Sequence, residues 1–259
     1  MILVRAEVKK LCTLTSIWIA TASCILLPVG LAALSAHTMY RALSAGRKGE
    51  MLSSSTADAG FGHLIFGAIG VVVIGVIAMS SEYTRNAQKV GRSRQLTTTM
   101  IAAPRRFQTV ISKIIALCLW VVATSAVAAT ITIAVSRQML GEYAAPLDGT
   151  YWRRVAGVSV FWVMMALISC AFTAATRNGV LPLVILLANS TVLSFSRLLA
   201  LVTDLAKYLP DTAALSMFLV ESPVENAVGA ATGFYVCTAW GLLAAAIIIV
   251  SWVMRDAQS

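Results

Sequence analysis

Six runs of about 20 apolar residues divide the chain, and each is long enough to cross a bilayer core as a helix. They span residues 16–36, 62–81, 110–135, 155–175, 180–199 and 231–253, with no Asp, Glu, Lys or Arg near the middle of any. A spanning segment must satisfy its backbone hydrogen bonds without water, so only helices and closed barrels are available. Barrel strands would alternate polar and apolar residues, and these runs do not. The sequence therefore predicts an all-α integral membrane protein, with residues 1–259 forming one transmembrane domain of six helices.

Composition agrees. Of 259 residues, 59% are hydrophobic and 12% charged. A soluble domain of this size usually carries about twice that charge. The net charge of +9 would suit nucleic acid, but in a membrane chain it first reports topology, and no nucleic-acid partner is expected. The five cysteines are scattered in or beside apolar runs with no paired spacing, and they read as small buried hydrophobes. The first run is about twice the length of a signal's apolar region, and Arg5, Glu7, Lys9 and Lys10 stand well before it. It is read as a retained span.

Six spans place both termini on one side. That side would hold twelve Lys and Arg against eight on the other, and the positive-inside rule makes it the cytoplasm. Seven of the twelve lie between Ser80 and Lys113, in the link between the second and third runs.

Outside the runs, Val4, Val8 and Leu11 share one helical face while Arg5, Glu7, Lys9 and Lys10 cover the rest. That pattern suits a short amphipathic helix in the cytoplasmic interface, the other reading being a frayed basic tail. Residues 37–61 and 137–152 read as outer loops, with Tyr151 and Trp152 in an interfacial aromatic belt. The link Thr176-Arg177-Asn178-Gly179 reads as a tight turn with Asn-Gly taking the positive φ. Residues 200–230 are too apolar for an open loop and too broken by Pro210 and Pro223 for a spanning hairpin. A shallow re-entrant or surface-lying pair of short helices fits, and an ordinary helical outer loop fits equally.

Several chemistries lack their residues. No P-loop sequence occurs, so ATP is not expected to bind this chain, and no cofactor or metal is expected directly. The two histidines, His37 and His63, lie near outer span ends. His63 could serve a gate, but an interfacial histidine with ordinary hydrogen bonds is the preferred reading. Mid-span ionisable groups, the usual mark of ion-driven transport, are missing. Asn189, Ser190 and Thr191 form the most polar mid-span group; they suit interhelical hydrogen bonds or a substrate path, to which Phe195 would also belong.

The link between the second and third runs has an ordered content. Glu82-Tyr83 ends the second run, and a basic stretch around "NAQKVGRSR" follows. Then come "QLTTTMIAAPRR" (95–106) and Lys113, as the third run begins. This resembles the permease subunit of bacterial type-2 ABC exporters. In that family a Glu-aromatic pair ends the second span, a short Thr/Leu-rich helix follows, then Pro-x-Arg or Pro-Arg-Arg, then a lysine in the third span. The opening "AEVKKLCTLTSIWI" resembles the family as well. The basic stretch 86–94 is a departure, because the family usually has a Gly-Thr pair close after the Glu-aromatic.

The resemblance implies a cytoplasmic coupling helix and a bacterial cell-membrane location with cytoplasmic termini. It also implies ABC ATPase subunits that bind ATP and Mg, and a second permease chain, identical or related, in the bilayer. The cargo would be an amphipathic antibiotic, peptide or lipid-like molecule. The implied coupling residues are Glu82, Arg94, Thr98, Met100, Ile101, Pro104, Arg105, Arg106 and Lys113. Thr98, Met100 and Ile101 would face the ATPase, and Pro104 would end the helix. The nearby arginines would be natural ion partners of Glu82. A secondary transporter or channel, or a non-transporting immunity or scaffold protein, are the rival classes.

Overall fold

The computed structural model describes residues 2–46, 55–83, 106–191, 199, 202–220 and 227–254, the side chains of Arg106 and residues 189–191 excepted. Its described elements are helical: α1 (Ile2–Thr13), α2 (Thr15–Ser44), α3 (Ala68–Ser80), α4 (Arg106–Leu140), α5 (Tyr151–Thr176), α6 (Val180–Thr191), α7 (Pro210–Phe218) and α8 (Ala230–Val253). Short 3₁₀ turns at Thr56–Asp58 and Phe61–Gly67 lead into α3, and others occupy Gly141–Tyr143 and Asp204–Tyr208.

Five segments are long and apolar enough to cross a membrane: Thr15–Ser44, Thr56–Ser80, Phe107–Tyr143, Tyr151–Thr176 and Ala230–Val253. The run at 180–199 is described as a helix only over Val180–Thr191, whose 12 residues span about 18 Å, short of a bilayer core. The described residues thus give five candidate spans where the sequence suggests six.

The helices also outrun the apolar runs. At 30 residues α2 is about 45 Å long, and its last turns occupy positions 37–44, which the sequence reads as loop. The third span is similarly extended, with α4 reaching Leu140. The overhanging ends hold each other: Ala36, Met39 and Leu140 form a small buried cluster, and Tyr40 meets Tyr143 edge to face at 5.8 Å. The second span departs the other way. Its first turns are 3₁₀ and not α, entered at Gly60, whose φ of +87° favours glycine.

Both α3 and α5 lie at the centre, apolar around their circumference because neighbours surround them. On α3 the packing is set by glycines. A Cβ on Gly67 would sit 2.1 Å from the Trp162 ring, whose Nε1 donates to the Leu64 carbonyl at 3.1 Å. A Cβ on Gly70 would meet the Ala20 carbonyl at 2.6 Å, and one on Gly75 would meet Ser169 Oγ at 2.1 Å and the Ala166 carbonyl at 2.4 Å. Such small residues let helix backbones approach closely in a membrane, where lipid is as apolar as the partner helix. By contrast α2 and α8 turn Trp18, Ile19, Leu26, Leu34, Tyr235 and Leu242 outward.

The segment 200–230 contains α7, with Pro210 in its first turn and Thr212–Leu215, Met217 and Phe218 buried. It packs closely: Met217 lies against Gly157 and the Ala213 carbonyl against Gly233. The turn at Thr176–Gly179 also differs from expectation. The left-handed residue is Arg177 (φ 53°), the C-cap of α5, and neither Asn178 nor Gly179 has a positive φ. Asn178 is used instead as an acceptor, its Oδ1 taking the Val180 amide at 2.8 Å, and Gly179 allows approach to Ser80.

Replacing Gly75 by Ala forces a methyl group against backbone and is expected to destabilise by about 1–3 kcal/mol. At Gly30, within α2, no atom lies within 4 Å of a Cβ, and Gly30→Ala is expected to be neutral or mildly stabilising. Thermal unfolding of the two variants in detergent checks this; equal midpoints would contradict the packing.

Candidate functional site

At the end of the bundle that carries α1, four charged side chains meet. Glu7 and Lys10 stand at i and i+3 on α1, a spacing that puts them on one face. The same helix packs Val4, Val8 and Leu11 against the core. Glu82 follows the C-cap of α3 in a turn closed by the Glu82 amide on the Met79 carbonyl at 3.1 Å. Lys113 lies two turns into α4.

Lys113 Nζ donates to Glu82 Oε1 at 2.9 Å and to Glu7 Oε2 at 2.8 Å. Lys10 Nζ donates to the same Glu82 oxygen. Glu82 is 0% exposed and Lys113 4%. Trp252, on the last turn of α8, lies with its ring centroid 5.9 Å from Lys113 Nζ. One network therefore joins α1, the end of α3, the start of α4 and the end of α8. A cavity of about 10 Å³ between Glu7, Lys10 and Lys113 is at the limit of one water, so this is a junction and not a cargo site.

Among the described residues each buried charge of the network meets an opposite one, which is the condition under which buried charges are tolerated. Burial alone would push the Glu82 carboxyl up, but Lys113 and Lys10 outweigh it and hold the group below its ordinary value.

At the opposite end, Arg154 near the start of α5 is 8% exposed and makes three bonds to two other segments. Its Nε donates to the Phe218 carbonyl at 2.7 Å, Nη1 to the Ala57 carbonyl at 2.9 Å and Nη2 to Asp58 Oδ1. Asp58 in turn accepts the Val220 amide at 2.9 Å, and the guanidinium lies 3.8 Å from the Phe61 ring centroid. This clamp fixes α7 to α5 and to the 3₁₀ lead of α3.

Of the residues singled out in the sequence, Glu82 and Lys113 come together. Arg94, Thr98, Met100, Ile101, Pro104 and Arg105 lie outside the described residues, as does Phe195, and Arg106 is described only as the first residue of α4. Asn189 and Ser190 lie in the last turn of α6, their side chains outside the described set. Among the described residues Glu82 pairs with Lys10 and Lys113; the side chains of the arginines that the sequence suggests as its partners lie outside the described set. His63 is half-buried in the 3₁₀ lead, and its Nδ1 is buried with no hydrogen-bond partner among the described residues, unlike the ordinary interfacial histidine expected. Sequence reading missed the inward turn of Glu7 and Lys10, for which their opposite charges at i and i+3 were the available signal. It also missed the Asp58–Arg154 pair.

Removing one partner of a buried pair strands the other charge, so Glu82→Gln or Lys113→Met is expected to cost about 3–5 kcal/mol. The depressed pKa of Glu82 makes its contribution full above about pH 4.3, the ordinary glutamate value, and lost as pH falls through the lower folded value. Unfolding midpoints measured between pH 7 and pH 3 should show that acid-labile part in the wild type and lack it in Glu82→Gln. Parallel pH profiles would contradict the assignment.

Comparison with known proteins agrees with the architecture. A family model described as ABC-2 family transporter protein matches residues 3–196, which include α1, the network and the first four candidate spans. Neither the curated proteins nor the solved structures compared with the chain gave a match. The chain is a multi-pass membrane protein of the ABC-2 transporter family, a permease-type component of an ABC transporter.

Proposed function

We propose that this permease exports an amphipathic molecule using ATP hydrolysed by separate ABC ATPase subunits. In this reading two such chains, identical or related, enclose the path in the cell membrane. Both termini are cytoplasmic, and the run at 180–199 completes a sixth span. ATP and Mg belong to the ATPase. The segment 84–105 docks on it, with Thr98, Met100 and Ile101 as contact surface and Arg94, Arg105 and Arg106 at headgroups or on partner acids. The helix α1 lies in the cytoplasmic interface.

The observation that carries this is where the network sits. Glu82 and Lys113 flank the segment 84–105 in sequence and bond to each other in space. A push on that segment is thereby delivered at one point to α3, α4, α1 and α8. Packed, charge-locked helices move as bodies, which is what transmission across a membrane domain requires. The buried charges lie at the end of the bundle and not mid-span, which favours coupling over an ion path.

The test is co-expression with an ABC ATPase from the same source, purification as the complex, and reconstitution in proteoliposomes. An ATPase should co-purify. The double substitution Arg105→Glu/Arg106→Glu should lower export of amphipathic dyes about tenfold or more while membrane insertion persists. Unchanged export in the double variant, or an ATPase that never co-purifies, would overturn the reading.

A further inference from the structure

The end of the bundle opposite the Glu82 network holds a cleft of about 70 Å³, several times the roughly 10–15 Å³ that one water needs. Arg137, Asp148 and Arg154 line it, with Phe61, Tyr151 and Leu147 as apolar walls. Beside it Trp152 projects with 75% exposure, as an aromatic at a membrane surface does.

The charges in this cleft are arranged in depth. Arg154 is buried, yet its bonds to Phe218, Ala57 and Asp58 use three of a guanidinium's five N–H donors, which leaves two. Arg137 uses one, donated to the Ala145 carbonyl, which folds the 144–148 segment over the cleft. Asp148, exposed, accepts the Thr150 hydroxyl and amide. Asp58 pairs with Arg154, and Asp148 lines the same cleft, so two guanidinium groups are matched by two carboxylates. A bare anion therefore gains little net attraction here. A group carrying both signs gains at both places: its phosphate oxygens on the spare guanidinium donors, its ammonium on Asp148.

We propose that this cleft holds the headgroup of a zwitterionic phospholipid with a primary amine, of the phosphoethanolamine type, its acyl chains lying along the exposed apolar surface. This holds whether or not the Glu82 network couples to an ATPase, since it rests on a different end of the molecule.

Native mass spectrometry of the delipidated full chain, titrated with phosphatidylethanolamine or phosphatidylglycerol, tests it. Arg137→Gln retains a donor for Ala145, and Asp148→Asn retains an acceptor for Thr150, so both are expected to fold. Each variant should retain phosphatidylethanolamine about fivefold less than wild type, the scale of one cation at a membrane surface. Phosphatidylglycerol retention should not fall in parallel, and in Asp148→Asn, which removes a negative charge from the cleft, it should hold or rise. Free O-phosphoethanolamine should displace the retained lipid, and inorganic phosphate should not. Equal phosphatidylethanolamine retention by wild type and both variants would overturn the proposal, as would a parallel loss of phosphatidylglycerol or displacement by inorganic phosphate as readily as by O-phosphoethanolamine.

Discussion

Glu82 and Lys113 pair at one end of the bundle where neither side chain reaches water, and the rest of that end is arranged around them. A buried carboxylate or ammonium left alone would cost several kcal/mol, so every unit of charge brought in must be answered. Among the described residues α1 contributes to that answer, supplying one acid and one base from a single face. The N-terminal helix is therefore not an optional tail. Without it Lys113 would lose Glu7, Glu82 would lose Lys10, and the pair would open toward solvent.

Between its two charged ends the described segments are joined by scattered hydrogen bonds, such as Trp120 to Thr21, Ser125 with Ser159 and Trp162 to the Leu64 carbonyl. Apolar helices in lipid gain nothing from the hydrophobic effect against one another, so their register comes from close fit. Gly67, Gly70 and Gly75 give α3 that fit on α2 and α5. Arg154 and Asp58 then fix the far end, with two backbone carbonyls and one carboxylate held on a single guanidinium. The domain is thus clamped by ion pairs at its ends and by backbone proximity in its middle.

Hydropathy made the membrane helices legible, because a 20-residue apolar run has few other uses. It could not place their ends. The turns at 37–44 are polar enough to resemble a loop, yet α2 continues through them because α4 runs alongside and supplies Leu140 and Tyr143. The positive φ at Arg177 was hidden because Asn178 and Gly179 are the usual owners, and here both have other tasks. In the site, Glu82 and Lys113 were legible from their flanking positions on the link between the second and third runs. Their lysine and glutamate partners on α1 were not, since Glu7 and Lys113 are 106 residues apart in sequence. Arg154 and Asp58, 96 apart, were invisible for the same reason.

The residues on either side of the segment 84–105, Glu82 and Lys113, are held together by one direct interaction. A double-mutant cycle with Glu82→Gln and Lys113→Met, read by thermal unfolding of the purified chain in detergent, measures it most directly. If the pair bonds as described, the double variant should be more stable than the sum of the singles predicts, by about 1–3 kcal/mol. Additivity of the two substitutions within about 0.5 kcal/mol would show that the residues do not interact and would contradict the claim.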